Sequence, residues 1–159
     1  MTRQPLKFAI FGNEYQAKKS TSIEKILDYL AQKGAEIYVE NAYYEFLTRS
    51  QHIDVKAAGV FEDYNFDVDY VISMGGDGTL LRSAYCVGDR CTPIIGVNMG
   101  RLGFLAGVSI EEIDEVLDNI YKEEYIVDCL AMVQVETTRS DGTETQECAL
   151  NEIAVLKRD

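Results

Sequence analysis

The sequence predicts an α/β fold: a parallel sheet with helices on both faces, followed by the start of an antiparallel β domain. Three observations predict it. Short apolar segments alternate with stretches whose apolar residues recur at helical spacing. The apolar segments are continuous rather than alternating, which is the pattern of strands buried on both faces. Two of them run straight into glycine-punctuated turns, Gly75-Gly76-Asp77-Gly78 and Met99-Gly100-Arg101-Leu102-Gly103.

Residues 6–11 form the first strand, ending at Gly12 and Asn13. Thr21 and Glu24 have capping-box spacing, and Ile23, Ile26, Leu27 and Leu30 then fall on one helical face. Gly34 stops that helix. Residues 36–39 are a second strand, and 41–49 a short helix carrying Tyr43, Tyr44 and Leu47. Residues 50–69 have little periodicity and read as a loop or a small variable element. Residues 70–74 are a strand, 78–87 a helix and 93–98 a very apolar strand. Ser109 and Glu112 repeat the capping-box spacing and open a helix with Ile113, Val116, Leu117 and Ile120 on one side.

After about residue 124 the logic changes. Residues 125–128 and 130–136 alternate, Ser140-Asp141-Gly142-Thr143 is a hairpin-turn signal, and 149–156 read as a further strand. The chain thus divides into an α/β unit over 1–126 and the first strands of a β unit over 127–159. Two or three strands with no closing partner leave open edges. The β unit is therefore expected to be incomplete, and the chain to be the N-terminal part of a longer protein.

Hydrophobic residues make up 47% of the 159, enough for a core. No apolar run approaches membrane-spanning length, and no signal-peptide core follows the N-terminus, so a cytoplasmic protein with no membrane partner is expected. The net charge of −12 argues against nucleic acid, whose backbone rewards Lys and Arg. Small phosphorylated ligands are not excluded, since local N–H groups bind them. Cys86, Cys91, Cys129 and Cys148 include no Cys-x-x-Cys pair, and His52 is the sole histidine. Neither a zinc site nor a disulfide framework is expected, and the thiols read as buried and reduced.

The turn at 75–79 poses a chemical question. Glycine-rich strand-to-helix turns suit phosphate, because bare N–H groups and a helix N-terminus attract anions. Asp77 is itself an anion. The plain reading is a tight turn with Asp77 or Thr79 capping the helix. The chemical reading is that Gly75, Gly76 and Gly78 handle phosphate while Asp77 accepts the proton of an attacking hydroxyl, or holds a metal bridging phosphates. The turn is neither a P-loop nor a dinucleotide fingerprint. In the second box Gly100 and Gly103 permit sharp turns, Arg101 offers a cation, and Phe104 either offers a flat apolar face or is buried with Leu105. Thirdly, Asn151 and Glu152 interrupt an apolar segment, pointing into a site or to solvent at a strand edge.

Together the Gly-Gly-Asp-Gly-Thr box, the Asn-Met-Gly-Arg-Leu-Gly-Phe-Leu box (98–105) and the Asn-Glu pair resemble the NAD kinase family, in the family's order. The first box alone is shared with diacylglycerol and sphingosine kinases; the set of three is specific. The resemblance implies a Rossmann-like nucleotide-binding kinase domain followed by an all-β NAD-binding domain. It implies transfer of the γ-phosphoryl of ATP, in some members polyphosphate, to the 2′-hydroxyl of the adenosine ribose of NAD. A divalent metal such as magnesium accompanies ATP, with no protein metal site assigned. Asp77 is implied as proton acceptor. Gly75, Gly76, Asp77, Gly78, Thr79, Arg82, Arg101, Phe104, Asn151 and Glu152 are implied as ligand-binding, Arg82 near a phosphate and Asn151 with Glu152 on the nucleotide ribose or base. A homo-oligomer is implied for the full-length protein. A lipid kinase of the same superfamily and a non-catalytic nucleotide-binding module are the alternatives. The later motifs of the family's β domain are absent from these 159 residues, so the fragment is expected to be inactive alone.

Overall fold

The computed structural model describes residues 4–14, 20–100, 103–150 and 152–154. Six strands form one parallel sheet in the order β3-β2-β1-β4-β5-β6. They are β1 (Lys7–Gly12), β2 (Glu36–Glu40), β3 (Gly59–Phe61), β4 (Tyr70–Gly75), β5 (Ile94–Asn98) and β6 (Val108–Ser109). The α-helices among the described residues are α1 (Ser20–Gln32), α2 (Asn41–Glu45), α3 (Asp77–Val87) and α4 (Ile113–Lys122); a π-helical segment, Phe46–Ser50, continues α2, and a 3-10 turn, Gly88–Arg90, follows α3. A separate two-stranded antiparallel sheet joins β7 (Val133–Thr138) to β8 (Glu144–Ala149).

The continuous apolar runs are explained by two cores. On one face Phe8 and Ile10 of β1 pack with Ile23, Ile26, Leu27 and Leu30 of α1 and with Ile113, Leu117 and Ile120 of α4. On the other, Ala9 and Phe11 pack with Val71, Phe61, Cys86 and Val87 beside α3. Alternate residues of one strand thus fill opposite cores, and each of the larger side chains contributes about 1.5–3 kcal/mol by leaving water. α1 and α4 are further joined at the surface: Asp118 accepts hydrogen bonds from the Tyr29 hydroxyl and, at 3.0 Å, from the Lys33 ammonium. Lys25 pairs with Asp114 at 2.7 Å.

Several local expectations need correcting. α1 begins at Ser20, so Thr21 lies inside the helix rather than capping it. Ser109 and Glu112 do meet, the Glu112 carboxylate accepting from the Ser109 hydroxyl at 2.7 Å and its N–H at 3.0 Å. They close a turn just ahead of α4 rather than its first helical turn. Gly34 stops α1 as read, with φ +71° and the Ala35 N–H reaching back to the Leu30 carbonyl at 3.0 Å. The featureless region 50–69 contains the edge strand β3 and a loop organised from afar by Arg90. The Arg90 guanidinium lies 4.1 Å over the Phe66 ring and donates to the carbonyls of Tyr64 and Phe66 at 2.7 and 2.8 Å.

In the β region, 125–128 are irregular, and the strand placed at 130–136 begins instead at Val133. The hairpin turn is where the sequence puts it: Gly142 has φ +82° and the Asp141 carboxylate accepts from the Thr143 N–H at 2.9 Å. The returning strand is Glu144–Ala149, and 152–154 are irregular rather than part of a strand. Of the cysteines only Cys86 is buried; Cys91, Cys129 and Cys148 are exposed, and all four are free thiols. Burial pushes the Cys86 thiol pKa up. Among the described residues no helix is long and apolar enough to cross a membrane.

Candidate active site

The strand order places the switch point between β1 and β4: the chain leaves β1 toward β2 on one side and resumes with β4 on the other. In open α/β sheets the crevice outside the carboxyl ends of such strands is where ligands bind. The Gly75-Gly76-Asp77-Gly78 turn leaves β4 at that point and opens α3. The second glycine box leaves β5, the next strand along. The two turns are tied together at the backbone, where the Gly75 carbonyl accepts from the Met99 N–H at 3.0 Å.

Asp77 joins them more tightly. Its Oδ2 accepts from the Phe104 N–H at 2.9 Å, and its Oδ1 from the N–H groups of Leu105 and Ala106 at 3.0 and 3.2 Å. These amides hold the carboxyl pKa below its usual range, the Phe104 contact first, with partial burial opposing. The first turn of α3 adds a favourable dipole field. A carboxylate in this turn is therefore stabilised by donors from the neighbouring loop. Gly103 is what lets that loop approach: a Cβ there would lie 2.3 Å from Asp77 Oδ1.

The other residues of the first box divide by depth. Gly76 is the extended N-cap of α3, and Gly78 is exposed in the first turn. Thr79 is buried and turned back against β4: a Cβ at Gly75 would stand 2.1 Å from its Oγ1. Thr79 thus packs against the turn, and Gly75 is required by that packing. Phe104 is fully exposed, its ring free beside the carboxylate its own N–H holds. The alternative of a buried Phe104 is not what the fold adopts.

Arg82 lies on α3 and extends toward β2, where its guanidinium pairs with Glu40 Oε1 at 2.5 Å. Glu40 is the last residue of β2 and is buried; its other oxygen accepts from the Tyr43 N–H at 3.0 Å, capping α2. Sequence reasoning missed Glu40. The available signal was an acidic residue closing an otherwise apolar strand, Ile37 to Glu40, at the edge where ligands bind.

Glu152 is exposed in an irregular stretch. Arg101 and Asn151 lie outside the described residues. The structure brings together the Gly75–Thr79 turn, Asp77 and the 103–106 loop, gives Arg82 to Glu40, and does not join Glu152 to them by any hydrogen bond among the described residues. Among those residues no group of three His, Cys, Asp or Glu is poised to hold a metal.

The profile of the ATP-NAD kinase N-terminal domain matches residues 8–125. The NAD kinase of Bacteroides fragilis is 46% identical over 154 residues, covering 97% of this chain and 53% of that protein. The NAD kinase of Porphyromonas gingivalis is 34% identical over 153 residues, covering 96% and 52%. The chain spans about half the length of the curated relatives it matches. A crystal structure of yeast NADH kinase complexed with NADH superimposes with TM-score 0.76 at 16% identity, over 94% of this chain and 45% of that one, a likeness of fold. With the domain profile spanning both glycine boxes and the switch-point strands, the chain belongs to the NAD kinase family, of which it carries the N-terminal domain.

Proposed function

We propose that the full-length protein is a NAD kinase, transferring the γ-phosphoryl of ATP to the 2′-hydroxyl of the adenosine ribose of NAD to give NADP. The observation that carries this reading is Asp77, a carboxylate at the switch-point turn of a chain of this family, flanked by the exposed ring of Phe104. A carboxylate offers about four acceptor positions. Three are taken by the amides of Phe104, Leu105 and Ala106; among the described residues Oδ2 accepts one hydrogen bond only, which leaves it a position for a ribose hydroxyl. The same amides keep Asp77 ionised and a weak base. That suits a phosphoryl transfer in which the hydroxyl proton leaves late, so that Asp77 mainly orients the nucleophile. The Phe104 ring supplies an apolar face for a nucleotide base.

Residues 1–126 form the nucleotide-binding kinase unit in this reading, and 127–159 open the NAD-binding β unit. Gly75, Gly76, Gly78, Thr79, Arg82, Arg101, Asn151 and Glu152 keep the ligand-binding roles that family membership implies. The donor set fits magnesium only as a rider on nucleotide phosphates, which needs one or two carboxylates at most. So held, it would neutralise charge on the phosphates. Activity is expected in the cytoplasm, in a homo-oligomer, with polyphosphate a second donor to be tried.

Asp77→Asn in the full-length protein tests the reading. NADP formation is expected to fall about 10²–10⁴-fold, the range of a lost proton acceptor, with NAD affinity largely kept. Turnover equal to the wild type would refute it.

A further inference from the structure

Arg82 is the one cation of α3, and among the described residues its guanidinium makes a single ion pair, to Glu40. The pair crosses the sheet. α3 follows β4, Glu40 ends β2, and β1 lies between those strands, so the Arg82 side chain spans the carboxyl end of β1 beside the switch point. Glu40 follows Val39, the last residue of β2 paired with β1 (opposite Ile10), and stands opposite Phe61 of β3, at the carboxyl end of the sheet. The two ends of this bridge are unequal. The Glu40 side chain is 7% exposed, whereas that of Arg82 is 46% exposed. Glu40 is fixed twice over, by β2 and by the cap it makes on α2 through the Tyr43 N–H. Arg82 is the member that faces outward.

A buried carboxylate that loses its cation is costly to leave alone, so Arg82 is tethered. A guanidinium has five N–H donors in a planar fork. One hydrogen bond to Glu40 anchors one nitrogen of the fork, and among the described residues the other guanidinium donors have no hydrogen-bond partner, which is enough for a phosphate to be met by two donors at once. Resting on the assignment of the site as a nucleotide phosphotransfer centre, we propose that Glu40 is a positioning residue: it holds the Arg82 guanidinium across the end of β1 so that its free donors meet a nucleotide phosphate. The phosphate belongs either to the donor triphosphate or to the dinucleotide pyrophosphate, chemically equivalent partners for the fork.

Titrations of the full-length protein with ATP and with NAD, each alone, test this. Glu40→Gln keeps the volume and an acceptor for the Tyr43 N–H but removes the charge that orients Arg82. It is expected to weaken one of the two ligands about tenfold, the scale of a charge-assisted hydrogen bond, and to leave the other unchanged. The ligand affected identifies the phosphate. Arg82→Lys, at a half-exposed position, is expected to fold normally and to weaken the same ligand. The double variant should bind no worse than Arg82→Lys alone, because Glu40 acts through Arg82. A purely structural Glu40 would lower the melting temperature of Glu40→Gln while both affinities stayed at the wild-type value, and that result overturns the proposal. Additive losses in the double variant overturn it too. Failure of the parent reading looks different: the wild type would form no NADP in the activity assay, while the binding comparison would still decide the role of Glu40.

Discussion

Asp77 is the residue on which the site turns, and its hydrogen bonds make a pH prediction. Its pKa is lowered in the folded chain, by the Phe104 amide foremost. A depressed carboxyl pKa contributes stability that is complete above the unfolded value, about 4, and is lost as pH falls through the folded value. The 103–106 loop is therefore expected to hold at neutral pH and to release under acid. Chemical shifts of the Phe104 and Leu105 amides, followed from pH 7 downward, should move only below about pH 4; movement near pH 6 would contradict the assignment. Sterics at the partner loop give a second test. Gly103→Ala puts a methyl 2.3 Å from Asp77 Oδ1, against a carboxylate already held by three amides. The cost expected is about 1–3 kcal/mol, read from urea unfolding.

Among the elements, legibility follows the reach of each physical constraint. Strands β1, β4 and β5 were readable because both faces are buried, so nearly every residue along them is apolar. The helical face of α4 was readable for the same reason, Ile113, Leu117 and Ile120 all being buried. Leu117, fully buried between the sheet and α1, is expected to cost about 2–5 kcal/mol on replacement by alanine, again by urea unfolding. The strand boundaries after residue 124 were misplaced because β7 and β8 are largely exposed, leaving alternation without a core to enforce it. The loop at 62–68 was illegible because its organiser, Arg90, lies beyond β4 and α3 in sequence. At the site, Asp77 announced itself by its glycines, while its amide partners and the Glu40 contact of Arg82 are long-range and leave no local mark.

For the whole molecule, stability is expected to be uneven. The six-stranded sheet has a core on each face, whereas the hairpin of β7 and β8 is a two-stranded ribbon. Such a ribbon is marginal alone in water. Amide hydrogen exchange in the 159-residue chain should be slowest in β1, β4 and β5 and fast throughout 133–149. Equal protection in both sheets would mean that the hairpin is held by something other than its own ladder. The charge of −12 adds a global expectation: self-repulsion opposes compaction, so moderate salt should raise the melting temperature.

The close fit of residue 103 beneath the residue 77 carboxylate also bears on how such chains drift over generations. A descendant that traded the acid at 77 for alanine would no longer need a bare α-carbon at 103, while one that kept the acid could not gain a methyl there cheaply. Across a large set of natural variants the two positions should therefore change hands together, lapsed copies losing both and working copies neither.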